Sequence, residues 1–308
     1  MLVVTGASGL LGASLLTRAQ SLGRAVTGLC HRHEITIPGL RIHAVDLTDP
    51  AAIRQALTPL HPAQIIHCAA ATNVDWCEEH SGEAEAINCH AAAHLSELAL
   101  ELGSRFVYIS TDAVFDGQRG GYSETDKPAP LNAYAKSKLR GEQEVFARNP
   151  AAVIARVNIY GWNAQDKLSL AEWVLEKLAA GKPVPGFTDI HFTPILVNDL
   201  SDLLLRMLDC GMSGLYHVGG AEKISKFEFA RRVAAAFSFD PSQVVPARVA
   251  EVGLRAKRPP DISLNTEKIR AALGQSMPDV ESGLRRFRAL RDQGYPQLLK
   301  SYLNGIRK

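Results

Sequence analysis

Apolar residues fill positions 2–4 and run into Thr5, and from Leu10 to Leu22 they recur at helical spacing. The first pattern predicts a strand buried on both faces, the second an amphipathic helix. The two patterns keep recurring through the first half of the chain. They predict strands over 25–30 and 41–45, a helix near 50–57, a strand over 64–67 and a long helix from about 82 to 102. A strand over 106–110, a helix from about 132 to 148 and a strand over 152–157 follow. Six or more βα steps in succession predict an α/β fold, a doubly wound parallel sheet with helices on both faces.

Beyond Gly161 the rhythm changes. Gly181, Pro183, Pro185 and Gly186 cluster, as do Pro241, Pro246, Pro259 and Pro260, punctuation that keeps elements short. Helices are predicted near 168–179, 198–209 and 226–237, and Gly214 to Val218 resembles a further sheet strand. The predicted organisation is a dinucleotide-binding domain over 1–160, to which segments near 190–220 return, and a smaller, interleaved lobe over 161–308 that is mostly substrate-binding. No internal repeat or low-complexity tract stands out.

A chain of 308 residues with 46% hydrophobic content buries a large core, which excludes disorder. The 34 Lys and Arg nearly cancel the 32 Asp and Glu, so no basic surplus invites nucleic acid or an anionic membrane. No apolar run approaches membrane-spanning length, and no charged leader precedes the first strand; a cytoplasmic protein is expected. The cysteines Cys30, Cys68, Cys77, Cys89 and Cys210 show no tight pairing and are expected as reduced thiols. Cys77 and His80 lack a second ligand pair at zinc spacing, so no metal site is expected.

Strand 2–5 runs directly into Thr5-Gly6-Ala7-Ser8-Gly9-Leu10-Leu11-Gly12, which opens the first helix. This context suits a dinucleotide diphosphate: Gly6 for a sharp turn, Gly9 for close backbone approach, Gly12 for close packing of helix on sheet. Ser8, Leu10 and Leu11 complete the candidate phosphate cradle, with helix amides aimed at the phosphate oxygens. At the end of the second strand, where an NAD site expects a carboxylate for the ribose, stand His31 and Arg32. A guanidinium pairs instead with the 2′-phosphate of NADP, so NADP(H) is the expected coenzyme; Glu34, close by, keeps NAD(H) as the second choice. Asp46 and Leu47 after the third strand are placed to cover the adenine, and Cys68, Ala69, Ala70 and Thr72 after the fourth to line the cofactor ribose.

Tyr134 and Lys138, four residues apart, begin the helix after the fifth strand, and Thr111 ends that strand. Open α/β sheets place their ligands at those strand ends. A phenol needs a neighbouring cation to exchange protons near neutral pH, so Lys138 is expected to soften Tyr134, the candidate proton donor. Thr111 is expected to orient a substrate oxygen, and Lys138 to hold the nicotinamide ribose as well.

These residues resemble the extended short-chain dehydrogenase/reductase family, and within it the dTDP-4-dehydrorhamnose reductases and the related regulatory β subunit of methionine adenosyltransferase. The likeness runs through TGASGLLG, HCAAATNVDWCE, ISTDAVFDG, NAYAKSKLRGE, HFTPILVNDL, GLYHVGG and RPPDISLNTEKI. It implies a Rossmann fold and NADPH-dependent reduction of a nucleotide-linked 4-keto-6-deoxysugar, with Thr111, Tyr134 and Lys138 matching the catalytic triad. It also implies a nucleotide-sugar partner and, as in many members, a homodimer. Candidate substrate contacts are Thr111, Asp112, Val114, Tyr134, Asn158 and, for the phosphates, Arg258; Phe187, His191 and Thr193-Pro194 are placed to shape the sugar pocket. Ala113 stands where the family usually has an aromatic residue, and Ile159 where many members have Trp, with Trp162 close by, just after Gly161. The Asp-Glu pair of sugar-nucleotide dehydratases is missing after Thr111. The rival readings are a non-catalytic NADP-binding regulator and a reductase or epimerase of another nucleotide sugar.

Overall fold

The computed structural model describes residues 1–251 and 257–304. The first half carries β1 (Leu2–Thr5), α1 (Leu10–Ser21), β2 (Val26–Cys30), β3 (Arg41–Ala44), α2 (Pro50–Leu57), β4 (Gln64–His67), α3 (Val74–Glu79), α4 (Ser81–Glu85), α5 (Ala91–Glu101), β5 (Arg105–Thr111), α6 (Ala133–Arg148) and β6 (Val153–Val157). The second half carries β7 (Ile159–Tyr160), α7 (Leu170–Ala179), β8 (Val184–Phe187), β9 (His191–Phe192), β10 (Ile195–Leu196), α8 (Val197–Asp209), β11 (Gly214–His217), β12 (Ile224–Ser225), α9 (Lys226–Ala236), β13 (Val244–Ala247), α10 (Glu267–Leu273), α11 (Val280–Asp292) and α12 (Tyr295–Asn304).

Seven strands form one parallel sheet in the order β11-β6-β5-β4-β1-β2-β3. This is the expected Rossmann architecture, and the order reverses between β1 and β4, which opens a crevice at the carboxyl ends of those strands. Both faces are covered, so β1, β2 and β6 are buried along their whole length and are predominantly apolar, with Arg156 of β6 as the buried exception. Alternate residues serve the two faces: Leu2 and Val4 pack with Leu15 and Leu16 of α1, whereas Val3 packs with Ile53, Leu95 and Leu98. Helix α8 lies against α1 on one face, and α5 lies between α2 and α6 on the other.

Two departures from the pattern have physical causes. No helix joins β2 to β3; residues 31–40 cross as a loop that buries Ile35 and Ile37 and turns at Gly39, φ +79°. Pro38 and the β-branched run Ile35-Thr36-Ile37 oppose a helix there. The long helix expected over 82–102 instead begins at Val74, breaks at His80 and contains a π-helical turn at 86–90. At that turn the Asn88 carbonyl accepts from the Tyr108 hydroxyl at 2.7 Å, while the Asn88 amide clasps Ala71 at 2.8 and 3.1 Å. Side chains that engage the backbone in this way unwind a helix locally.

The remaining strands form three two-stranded pieces, β7 with β10, β8 with β13 and β9 with β12, and α9 packs against both α7 and α11. Trp162, Phe237 and Phe287 make the aromatic centre of that region, with Trp162 stacked on Phe287 at 4.1 Å. No described helix is long and apolar enough to cross a membrane.

Candidate active site

The glycine turn is held from the side of β4. The Thr5 hydroxyl accepts from the amides of Cys68 and Ala69, both at 3.2 Å, and lies 2.7 Å from Nδ1 of His67. With its lone pairs taken by two amides, its proton goes to Nδ1, which leaves the His67 hydrogen on Nε2. Gly6 has φ +65°, and a Cβ there would stand 2.7 Å from the Ala69 nitrogen. A Cβ at Gly12 would stand 2.0 Å from the Gly6 carbonyl oxygen. Gly12 therefore lets the start of the helix close onto the turn at the end of β1. Gly9 caps α1 without a side-chain bond, and no acidic residue occupies the first turn. The amides of Leu10 and Leu11 belong to that turn and have no intrahelical acceptor. An unblocked helix start behind a turn that tolerates no side chain fits a dinucleotide diphosphate.

At the adenosine end, His31 and Arg32 follow β2 and are exposed. Asp46 is also exposed and accepts from the Thr48 hydroxyl at 2.7 Å and the Thr48 amide at 2.9 Å, which hold its carboxyl below the usual range. His31 lies 3.8 Å from it. Leu47, Cys68, Ala69 and Ala70 are half-buried, and Thr72 is exposed beside them.

Asn132 caps α6 by accepting from the Ala135 amide at 2.9 Å, and Glu78 takes the Ala133 amide at 2.8 Å. Those contacts fix the turn that carries Tyr134 and Lys138 on one face. Lys138 is 2% exposed; its Nζ donates to the Ile109 carbonyl at 2.6 Å and stands 4.0 Å over the Tyr108 ring. Burial pushes this ammonium down to about 7, against the pull of Glu142 one turn further on. Burial pushes the Tyr134 phenol up to about 12, and the neighbouring Thr111 hydroxyl acts in the opposite direction. The expected softening of Tyr134 by Lys138 is not seen: burial dominates the phenol, Thr111 rather than Lys138 acts against it, and the ammonium is engaged with Ile109 and Tyr108. His67, stacked with Phe106 and Tyr108, is driven down to about 3 by burial and then by Lys138, so it is neutral.

Thr111 donates to Asp112 Oδ1 at 3.2 Å and accepts from the Ala113 amide at 3.1 Å, so its hydroxyl also shapes the turn after β5. Asp112 is buried and accepts from Asn158 Nδ2 at 2.6 Å; desolvation raises its carboxyl to about 7. The structure therefore joins Thr111, Asp112, Tyr134 and Asn158 in one cluster. Val114 is fully buried in the core beneath it. Arg258 is half-buried and lies 3.4 Å from Asp75 of α3.

Trp162 donates to the Phe287 carbonyl at 2.9 Å inside the aromatic centre, so it does not replace the aromatic absent at Ile159. Thr193 is buried and accepts from the Leu264 amide at 2.9 Å, a structural role rather than one in a sugar pocket. His191 holds the 260–262 segment through its backbone, and Phe187 is half-buried at the end of β8. Cys77 turns its thiol to the Ala71 carbonyl while His80 stacks on Trp76 at 4.7 Å, so the two do not converge on one point. All five cysteines are free thiols.

Residues the sequence reading passed over include Glu142 and Lys226. Glu142 stands four residues after Lys138 on the same helix, a spacing that points to it directly. Lys226 begins α9 and is close enough to Asp112 and Arg258 to feel both charges; nothing in its local sequence signals that position.

A family model described as the RmlD substrate binding domain matches residues 1–291. The chain belongs to this family. Among its relatives, a probable low-salt glycan biosynthesis reductase of Haloferax volcanii is 35% identical, across 91% of this chain and 95% of its own length. A dTDP-4-dehydrorhamnose reductase of Mycobacterium tuberculosis is also 35% identical, across 83% and 82%. Subunit beta of methionine adenosyltransferase 2 from Danio rerio is 32% identical, across 87% and 83%. Among solved structures, the dTDP-4-dehydrorhamnose reductase of Bacillus anthracis in complex with NADP superposes with a TM-score of 0.84 at 29% identity, covering 94% of this chain and 98% of that one.

Proposed function

We propose that the chain is an NADPH-dependent reductase of a nucleotide-linked 4-keto-6-deoxysugar, of the dTDP-4-dehydrorhamnose reductase type. The observation that carries this reading is the gathering of Thr111, Tyr134 and Lys138 at the carboxyl end of β5 and the start of α6, on the crevice that the glycine turn also faces. The coenzyme, when bound, supplies a hydride to the carbonyl carbon. Tyr134 gives its phenolic proton to the carbonyl oxygen, and its raised pKa keeps that proton in place until the oxygen becomes basic. Thr111 turns its hydroxyl from Asp112 to the same oxygen. Lys138 holds the nicotinamide ribose. Asp112 and Asn158 meet the sugar hydroxyls, and Arg258 the diphosphate. Gly6, Ser8, Gly9, Leu10, Leu11 and Gly12 cradle the coenzyme diphosphate, while His31 and Arg32 take the 2′-phosphate. The test is NADPH absorbance loss with dTDP- and UDP-linked 4-keto-6-deoxyhexoses; no turnover with any of them overturns the reading.

A second reading, a regulator that binds NADP and an enzyme subunit, is favoured by the match to methionine adenosyltransferase 2 subunit beta at 32% identity. It predicts coenzyme binding without turnover, together with a complex with a methionine adenosyltransferase catalytic subunit in gel filtration.

A further inference from the structure

Residues 163–168, between Trp162 and α7, form a braced strap. Asn163 bonds Glu172 Oε1 through its amide at 2.9 Å and the Lys167 carbonyl through its side chain at 2.6 Å, and Gln165 N–H returns to Asn163 Oδ1 at 3.1 Å. Ser169 and Glu172 complete a reciprocal cap at the start of α7. From the far side, Lys300 of α12 donates to the Gln165 carbonyl at 2.7 Å and reaches Asp166 at 3.2 Å. Held in this way, the strap touches the crevice at two points. Gln165 Nε2 donates to the Ser8 hydroxyl at 3.2 Å, and Lys167 Nζ donates to the Thr72 hydroxyl at 2.7 Å. Ser8 belongs to the glycine turn and Thr72 to the segment after β4, so the strap spans the crevice from one wall to the other.

The cradle itself offers a coenzyme diphosphate only amide dipoles, because Gly6 to Ala13 contains no charged side chain. A helix start supplies roughly half a positive charge, against the full charges of two phosphates. Lys167 brings a whole positive charge to the opposite wall, and its bond to Thr72 uses one of three ammonium donors. Its anchor Thr72 follows Ala71, whose carbonyl accepts from the Cys77 thiol at 3.6 Å, and that thiol is among the groups that act on the Tyr134 phenol, which puts Lys167 on the Tyr134 side of the crevice.

We propose that Lys167 is a coenzyme ligand, the cation for the nicotinamide-side phosphate, with the 163–168 strap as its mount. This rests on the coenzyme binding put forward above. The experiment titrates wild type, Lys167→Met and Lys167→Arg with NADPH and with adenosine 2′,5′-bisphosphate, which lacks the second phosphate, following intrinsic fluorescence. Loss of one charge-assisted contact is expected to raise the NADPH Kd of Lys167→Met about tenfold. The Kd for the bisphosphate stays within about twofold, and Lys167→Arg recovers most of the loss. The gap between wild type and Lys167→Met is expected to narrow as salt is raised. An NADPH Kd unchanged in Lys167→Met, or an equal loss for both ligands, overturns the proposal. Wild type that binds neither ligand overturns the coenzyme reading itself.

Discussion

Glu142 grips Arg156 with both carboxylate oxygens, at 2.9 and 2.7 Å, and neither side chain is more than 5% exposed. Ser110 donates to the same carboxylate at 2.5 Å. Arg156 also lies 3.3 Å from His217 Nε2, whose Nδ1 donates to the Tyr122 carbonyl at 2.9 Å. The pair thus fastens α6, which carries Tyr134 and Lys138, to β5, β6 and β11. Removing one member leaves the other charge buried and unmatched, which costs about 3–5 kcal/mol. Glu142→Leu is therefore expected to unfold at markedly lower urea, and Glu142→Leu with Arg156→Met to recover much of the loss. Urea curves check both; a single variant as stable as wild type contradicts the prediction.

Tyr134→Phe keeps the ring and removes the proton. We expect kcat to fall by about 10²–10⁴-fold, with NADPH affinity little altered. Single-turnover rates alongside a coenzyme titration separate the two quantities. A variant that retains near wild-type turnover removes Tyr134 from the chemistry.

Asp112 has its carboxyl raised from 3.8 to about 7, chiefly by burial. The unfolded chain ionises it at lower pH than the folded one, so its stabilising contribution is whole below about pH 4 and lost as pH rises through about 7. Asp112→Asn cannot ionise. Relative to wild type it is expected to gain on the order of 1–3 kcal/mol between those limits, seen as melting curves that diverge with rising pH. Parallel pH dependence of the two proteins would contradict the assignment.

Arg32 is exposed at the end of β2. If it holds the 2′-phosphate, Arg32→Ser raises the KM for NADPH by about tenfold or more and leaves that for NADH nearly unchanged. Equal use of both coenzymes by wild type removes the premise.

The sheet was legible in the sequence because β1, β2, β4 and β6 are covered on both faces and so appear as short apolar runs flanked by turn residues. The glycine turn was legible because its spacing and its strand-to-helix setting are local. What lay hidden depends on partners distant in sequence. The π turn at 86–90 follows from Tyr108 and Ala71 reaching Asn88, which no window around Asn88 contains. The state of Tyr134 depends on where Lys138 ends up, and the carbonyl of Ile109 took that cation. Helix α11 was not among the predicted helices: Val280, Leu284 and Phe287 stand at helical spacing, but its four arginines mask the stripe. The strap contacts of Gln165 and Lys167 join positions separated by 157 and 95 residues, beyond any local pattern.

Helix α8 and strand β11 complete the main sheet only after the polypeptide has passed through β7, α7, β8, β9 and β10. A cut after residue 160 would strip the partner from α1, leave Leu15 and Leu16 facing water and open the β6 edge to pairing with other molecules. Neither portion is therefore a cassette. A graft that aims to exchange the parts of the second half outside the main sheet has to be spliced in at two seams, one before α7 and one after β11, with the intervening return to the sheet left whole.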